Sequence, residues 1–200
     1  MKIVKCFIFL ILIFLISLTI YQFVKKPKTS EPVIISKIET YGYNLEDNKT
    51  KLYSTYFETL KKELNKEEVD QQKYAELIVK LFISDFYDLD SKITKNDIGG
   101  LQFIKSEALD NMVIKAKDTI YKYVENNVNK DRKQVLPKVK DIVVETVEET
   151  TYNFDDKNDL VAYKVNVYWQ YVKDLGYQDE AIFILLKNEK KLEIVEIRER

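Results

Sequence analysis

The most constraining feature of this sequence is an uncharged apolar run near its start, Cys6–Val24 (CFIFLILIFLISLTIYQFV). A helix of this length would be about 28 Å long, close to the thickness of a bilayer's hydrocarbon core. Because the run has no polar face and Lys2 and Lys5 precede it, we expect a signal-anchor transmembrane helix within residues 1–24. Two alternatives stay open, a cleaved signal peptide and a buried core helix. The run exceeds a usual signal-peptide core, and no A-x-A-like cleavage site follows it.

The charges that flank this run are nearly balanced, since two lysines precede it and three follow it at positions 25, 26 and 28. The positive-inside rule therefore gives only a weak orientation. A short tail before a first apolar segment usually stays in the cytoplasm, so we expect the C-terminal domain on the outer side of the cell membrane. Residues 25–32 contain two prolines among polar residues and predict a linker. Residues 33–200 are predicted to form one extracytoplasmic domain.

The composition excludes several kinds of active site. Among 200 residues there is no histidine, one cysteine (Cys6) and four glycines. A Ser-His-Asp or Cys-His arrangement, a His or Cys metal site and a glycine-rich phosphate loop are therefore excluded. The 32 basic and 33 acidic residues give a net charge of -1, without the excess positive charge of a nucleic-acid-binding protein. We expect no catalytic residues, no metal, no cofactor and no nucleic-acid partner.

The first half of the domain has helical periodicity. Asp47 and Asn48 suit an N-cap, and the helix predicted after them has one apolar face. A second helix is predicted over about Glu67–Asp88 and a third over about Ser106–Asn126, with Tyr123 among its inward residues. The apolar face of the first helix comprises Leu52, Tyr53, Tyr56, Phe57, Leu60 and Leu64.

The second half of the domain changes to a period of two. After Pro137, β-rich or alternating segments predict four strands joined by short turns. Residues Val33–Asn44, with β-branched and tyrosine positions, predict a first strand or an extended lead-in before the helices. Helices followed by a meander indicate an α+β fold, with three helices packed on one face of a curved four-stranded antiparallel sheet. The four predicted strands are Asp141–Phe154, Leu160–Val172, Ala181–Lys187 and Leu192–Ile197.

This order of elements resembles the nuclear transport factor 2-like (cystatin-like) cone fold. It is similar in particular to membrane-anchored extracytoplasmic members, such as assembly factors of type IV secretion and conjugation machines. The run YKVNVYWQYVKDLGYQDEAIFIL also looks like stretches of uncharacterised single-pass proteins of low-GC Gram-positive bacteria. The resemblance covers about residues 33–197 and contains no catalytic motif. It implies a cone-like fold and assembly into complexes, and it does not imply an activity.

Four aromatic residues are candidates for a ligand pocket, because the cone fold often has a cavity between helices and sheet. These are Tyr53, Tyr56, Tyr163 and Trp169, all on predicted inward faces. The simpler interpretation is core packing with satisfied polar atoms. An enzyme of this kind would need a buried carboxylate beside a tyrosine hydroxyl, and no Asp or Glu falls clearly among them.

The opposite face of the second predicted strand is a candidate interface. Lys164, Asn166, Tyr168 and Gln170 alternate with the inward residues, and such a mixed polar and aromatic surface suits a non-obligate contact with a protein partner or a second copy. Three glutamates on the preceding strand (145, 148 and 149) predict either an edge that charge keeps soluble or a surface for a cationic partner.

Asp85, Asp88 and Asp90 form an acidic cluster at the end of the second predicted helix. A hard-cation site would use such carboxylates, but the EF-hand spacing fails because Lys92 occupies the third ligand position. We therefore expect a solvated helix end with neighbouring lysines.

Together these patterns favour a non-catalytic, membrane-anchored scaffold or assembly module presented outside the cytoplasmic membrane. The alternative is a pocket protein, a sensor or carrier, that binds a small apolar or aromatic ligand. An enclosed cavity behind Tyr53, Tyr56 and Trp169 would favour the alternative.

Overall fold

The computed structural model describes Ile11, residues 13–17 and residues 31–200. Ile11 and residues 13–17 are helical. Most of the predicted anchor, residues 6–24, and most of the predicted linker lie outside the described residues. Within the described part of the chain, no helix is both long enough and apolar enough to cross a membrane.

The chain divides into two units, Met1–Glu31 and Pro32–Arg200, and every element below belongs to the second unit. This unit is α+β, with a two-stranded hairpin, three helices and then a four-stranded sheet. In chain order the elements are β1 (Ile34–Ile38), β2 (Tyr43–Glu46), α1 (Lys51–Leu64), α2 (Gln71–Phe86), α3 (Ser106–Asp118), β3 (Val139–Phe154), β4 (Lys157–Tyr171), β5 (Glu180–Asn188) and β6 (Lys191–Arg198); two 3-10 turns, Leu89–Ser91 and Leu101–Phe103, lie between α2 and α3.

The strand predicted within Val33–Asn44 is present as β1, but the same range also contains a turn and the start of β2, which pairs with β1 in antiparallel fashion. Gly42 lies in the turn between β1 and β2 with a φ of 71°, a conformation that glycine adopts without steric cost. The turn folds the segment back on itself and places Tyr43 in the core.

The first two helices begin at side-chain caps and present the predicted apolar faces to the core. Thr50 caps α1 by accepting a hydrogen bond from the Tyr53 N–H, so the predicted caps Asp47 and Asn48 lie before the true one. Asp70 caps α2 by accepting from the Lys73 N–H. Helix α2 makes most of the helical contact with the sheet, and α1 packs against α2.

The third helix is shorter than the prediction of Ser106–Asn126. It ends at Asp118, and Thr119 takes a non-helical conformation with φ -119° and ψ -101°. Because the helical period stops there, the predicted inward residue Tyr123 is exposed and Tyr121 is buried instead. The Tyr121 hydroxyl donates to the Phe86 carbonyl, which joins this segment to the end of α2.

The predicted meander is confirmed. Strands β3 to β6 pair in chain order, and each neighbouring pair is antiparallel. Alternation along β4 sends Tyr163, Val165, Val167 and Trp169 into the core beneath the helices, while the residues between them occupy the other face.

A second, smaller apolar cluster lies on the sheet face away from the helices. Ala162, Ile184 and Leu186 are buried there, and side chains from the distal half of the β3–β4 hairpin pack on them. The Tyr152 hydroxyl on β3 donates to the Glu196 carboxylate on β6, although two strands separate β3 from β6. The hairpin therefore curls over this face, so the sheet is strongly curved.

Candidate functional site

The four predicted pocket residues have different neighbours. Tyr53 is buried, with its ring centroid 6.4 Å from that of Phe57, and its hydroxyl accepts a hydrogen bond from the Gln102 amide at 2.6 Å. Burial raises the pKa of Tyr53 well above its ordinary value, so the hydroxyl stays protonated. Trp169 is buried with its ring centroid 4.5 Å from that of Tyr87.

The hydroxyl groups of the other two predicted pocket residues, Tyr56 and Tyr163, are less buried. Tyr56 is partly buried and lies under the Lys80 ammonium group, 5.6 Å from the ring centroid. The Tyr163 hydroxyl lies 3.5 Å from the exposed Glu149 carboxylate. Among the described residues, no ring contact joins two of the four predicted pocket residues, although all four belong to or pack against one core cluster.

The four predicted interface residues do share one surface. Tyr168 and Gln170 are exposed, and Lys164 and Asn166 are partly exposed, on the β4 face away from the helices. On β3 beside them, Thr146 accepts a hydrogen bond from the Asn166 amide at 2.5 Å, and Glu148 lies 3.9 Å from the Lys164 ammonium group. We call this surface the open face; it comprises Thr146, Glu148, Lys164, Asn166, Tyr168 and Gln170.

The two edges of the four-stranded sheet differ. At the β6 edge, the Lys105 N–H donates to the Ile194 carbonyl at 2.9 Å. Tyr74 accepts from the Leu192 N–H at 3.0 Å, and Tyr43 donates to the Leu192 carbonyl at 2.9 Å. The backbone of this edge is therefore paired by a loop and two buried hydroxyls.

The β3 edge has no such cover among the described residues. From Thr146 to Tyr152 the strand pairs with β4 in unbroken register, and no described backbone or side chain hydrogen bonds to its other side. An antiparallel strand directs alternate N–H and C=O groups to each side, so this stretch leaves several backbone groups to solvent.

A polar cleft of about 340 Å³ lies between β2, the N-terminus of α1, the C-terminal end of α2 and the loop before α3. Asp85 lies at its base and is buried, which makes the predicted solvated helix end wrong for this residue. Asp88 is also buried, where it accepts from the Ser91 and Val139 N–H groups, and Asp90 is exposed. The cleft is lined by Pro32, Asn44, Glu46, Asn48, Lys49, Asp85, Asn96, Asp97, Ile98, Gly100, Leu101 and Gln102.

Three donors contact the Asp85 carboxylate. It accepts from Lys92 at 2.6 Å, from Lys49 at 3.0 Å and from the Gly100 N–H at 2.9 Å. Burial alone would raise its pKa, but the charges of Lys92 and Lys49 and the Gly100 N–H outweigh burial and lower the pKa to about 2. The carboxylate therefore stays ionised at neutral pH and is an acceptor whose partners are already in place.

Two further contacts fix the loop over this carboxylate. The Gln102 side chain accepts from the Asn44 N–H at 2.9 Å and donates to the Asn44 carbonyl at 3.0 Å, as a neighbouring strand would. Gly99 approaches Asp85 so closely that a Cβ there would lie 2.4 Å from the Asp85 carbonyl oxygen. The Gly99-Gly100 pair was the one sequence signal that could have indicated this close approach; nothing in the sequence pairs Lys92 with Asp85.

The arrangement of acidic side chains does not suit a cation. Among the described residues, no group of three or more His, Cys, Asp or Glu side chains could hold a metal ion. The two lysines at Asp85 supply the positive charge that a cation would bring.

Two other clefts are described on this unit. A groove of about 470 Å³ lies between the β1–β2 turn and the β5–β6 turn, where it is lined by Tyr41 and Lys191 among others. A cleft of about 170 Å³ with an apolar lining, including Phe86, Met112 and Ile120, lies beside α3. Neither of these clefts, nor the Asp85 cleft, is lined by Tyr53, Tyr56 or Trp169.

These observations define a class of protein unit: an α+β domain whose buried carboxylate is internally paired and whose sheet offers one open face and one free edge in the described chain. No protein-family model, no curated protein and no solved structure matches this chain.

Proposed function

We propose that the Pro32–Arg200 unit is a non-catalytic interaction module that binds another protein through the open face. The observation that carries the proposal is the exposure of this face, where Tyr168 and Gln170 lie beside partly exposed polar neighbours. A tyrosine among polar side chains is typical of non-obligate interfaces, since it supplies apolar contact area without making the free surface insoluble.

The chemistry of the Asp85 cleft supports a non-catalytic role. A general base must have a free lone pair and a pKa near the working pH. The Asp85 carboxylate has three donors and a pKa of about 2, so it cannot take up a proton at neutral pH. Its contacts join the segment before α1, the end of α2 and the loop that follows α2, as a structural ion-pair network would.

The proposal also specifies where the protein lies in the cell and which α+β fold the unit has. Residues 6–24 would anchor the protein in the cell membrane as a single-pass signal anchor, with the C-terminal unit outside the cytoplasm; this rests on the length and lack of charge of that run. The order of helices and meander, with the strong curvature of the sheet, supports the cone-like fold and the scaffold role of the membrane-anchored proteins that the chain resembles.

The alternative of an apolar-ligand carrier has narrower support. The cleft beside α3 has an apolar lining, but at about 170 Å³ it is smaller than the sites that usually enclose a small molecule. The two larger clefts are lined mainly by polar and charged side chains. We therefore retain the interaction module as the proposed function.

A photo-crosslinking amino acid at position 168 tests the proposal in cells that express the full-length chain. We expect one discrete adduct with another protein at Tyr168 and none at Tyr123, which is a more exposed tyrosine away from the open face. An adduct of twice the chain's mass would identify a second copy instead of a partner. Equal adducts at both positions, or none at either, would contradict the open face as the binding surface.

A membrane-impermeant, lysine-reactive reagent applied to intact cells tests the location separately. We expect labelling of lysines in the C-terminal unit, for which the exposed Lys62 and Lys133 are suitable reporters. Labelling that appears only after the cells are opened would place the unit on the cytoplasmic side and contradict the proposed orientation.

A further inference from the structure

The free edge of β3 is unusual in its charge as well as its lack of a partner. Residues 141–154 of β3 contain four acidic side chains and no Lys or Arg, and two further acidic residues, Asp155 and Asp156, follow in the turn. Glu145, Glu148 and Glu149 are all exposed. Because adjacent residues of a strand point to opposite faces, Glu148 and Glu149 place a carboxylate on each side of the same edge.

Glu145 pairs with Arg200, whereas the partners of Glu148 and Glu149 leave most of their charge unbalanced. Lys164 approaches Glu148 only to 3.9 Å, and both side chains are more than one third exposed. Glu149 has the Tyr163 hydroxyl at 3.5 Å, which has no charge to offer. A surface pair of this kind contributes little, so both carboxylates can bind an incoming cation at small cost.

The same charges disfavour a second copy on this edge. Antiparallel pairing of two β3 strands about a two-fold axis at Glu148 would place the two copies of Glu148 opposite one another, and an axis at Glu149 would do the same for Glu149. Like charges directly opposite one another destabilise a strand pair. A strand with basic residues on both faces would instead be stabilised on this edge, because each carboxylate would gain a positively charged partner.

The stretch Thr146–Tyr152 is also geometrically suited to strand addition. The irregularities in the β3–β4 register occur before Thr146 and after Tyr152, so these seven residues form a regular edge. The β6 edge is covered at Leu192 and Ile194, as described above, whereas no described group covers the β3 edge from Thr146 to Tyr152. The open face continues onto it through Thr146 and Glu148.

We propose that the β3 edge from Thr146 to Tyr152 binds an extended, lysine- or arginine-rich segment of a partner protein, which adds to the sheet as a fifth strand. The inference rests on the proposed function and names the kind of segment that the partner supplies. Main-chain bonds along the edge give the contact its geometry, and the adjacent pair Glu148 and Glu149 selects a segment with adjacent basic residues.

The test uses the full-length chain in neutral detergent and a fluorescein-labelled, end-blocked peptide, Thr-Val-Lys-Lys-Val-Thr-Thr. Fluorescence anisotropy measures its affinity. A second peptide has glutamate in place of both lysines, and a third keeps the lysines but carries N-methyl groups on alternate backbone nitrogens. We expect the first peptide alone to bind, and hydrogen exchange to slow within residues 146–152.

The double variant Glu148→Gln, Glu149→Gln should weaken binding of the first peptide by about fivefold to tenfold, since two exposed ion pairs are lost. The matched control is Glu67→Gln, Glu68→Gln, which removes two adjacent exposed glutamates from the α1–α2 connection and should leave the affinity unchanged. Equal effects of the two double variants would show attraction to net charge alone and overturn the proposal.

Binding of the N-methylated peptide with undiminished affinity would also overturn strand addition, because that peptide keeps its charge and loses its main-chain donors. The peptide-binding test of the β3 edge can succeed or fail independently of the crosslinking test at Tyr168. A Tyr168 adduct without peptide binding would remove only the β3 edge, whereas peptide binding without a Tyr168 adduct would remove the open face.

Discussion

The Lys92 ammonium group donates to the Asp85 carboxylate at 2.6 Å, and both side chains are buried. Lys92 retains 3% of its exposed surface and Asp85 retains 5%. A buried charge that loses its partner is costly, because it has neither water nor a counter-charge. The pair therefore makes the fold of the loop after α2 dependent on a single carboxylate.

The substitution Asp85→Asn tests that dependence. We expect it to lower the free energy of unfolding at pH 7 by about 3–5 kcal/mol, because Lys92 would remain buried without a negative partner. Urea unfolding followed by circular dichroism measures the change. Asp110→Asn, on the exposed side of α3, is the control and should change stability by less than about 0.5 kcal/mol. If the two variants unfold at the same urea concentration, the pair is not important for stability.

The same carboxylate makes stability depend on pH. Its pKa is about 2 in the folded protein against an ordinary value of 3.8, so its contribution is fully present above pH 3.8 and is lost as the pH falls towards 2. The asparagine side chain of the Asp85→Asn variant does not titrate, so the variant lacks this contribution to the pH dependence of stability. The difference in unfolding free energy between wild type and variant should therefore narrow by about 1 kcal/mol between pH 7 and pH 3. A difference that stays constant over this range would contradict the lowered pKa.

The loop before α3 lies so close to α2 that a methyl group added at Gly100 should lower the stability of the fold. Gly100 has a φ of 74°, and a Cβ there would lie 2.6 Å from the Phe82 ring; Gly176 has a φ of 72° with nothing within 4 Å. Gly176→Ala should cost about 1–2 kcal/mol from backbone strain alone. Gly100→Ala should cost a further 1–3 kcal/mol, roughly, from overpacking. Chemical denaturation of the two variants measures the difference, and equal costs would mean that the Phe82 ring can move away.

The hydroxyls of Tyr43 and Tyr74, 2.7 Å apart, close a buried ring of hydrogen bonds with the backbone of Leu192. The Leu192 N–H donates to Tyr74, Tyr74 donates to Tyr43, and Tyr43 donates to the Leu192 carbonyl. Burial raises the pKa of Tyr74 to about 12, so the donors remain protonated at neutral pH.

Removing either hydroxyl leaves a buried backbone group without a partner. Tyr43→Phe and Tyr74→Phe should each cost about 1–3 kcal/mol, and the double variant should cost less than their sum because the ring is shared. Thermal or urea unfolding gives the three values, with the exposed Tyr123→Phe as a silent control. Simple additivity would indicate that the two hydroxyls act independently.

The parts of the fold that the sequence predicts are those that depend on local periodicity. Apolar residues repeat with a period of 3.6 residues in α1 and α2 and of two residues in the strands of the meander. The apolar helix faces and the four strands could therefore be predicted directly from the sequence. Because the helix ends before Thr119, the helical spacing no longer applies to the residues after it, and Tyr121 is buried in place of Tyr123. No local pattern marks this helix end, because Thr119 is neither glycine nor proline.

The candidate site depends on contacts that no local pattern encodes. Lys49 lies 36 residues before Asp85, and the sequence contains other lysines equally able to pair with it. The exposure of Lys164 and Tyr168 was predictable, since strand alternation places them opposite the core. The curl of the β3–β4 hairpin was not, because it depends on Tyr152 reaching Glu196 across the sheet.

A chain that begins at Pro32 should fold without the preceding residues. The unit Pro32–Arg200 contains a core of its own, formed by α2, β4 and the elements around them, and the ion pairs and buried hydroxyls described above join residues of this same unit. We expect this fragment to unfold cooperatively in urea, with coincident transitions by tyrosine fluorescence and circular dichroism. The variant Phe57→Ala in the same fragment should lower its stability by about 3–5 kcal/mol, since Phe57 is wholly buried. A fragment that shows no cooperative transition, or one that tolerates Phe57→Ala without loss, would mean that residues before Pro32 complete the core.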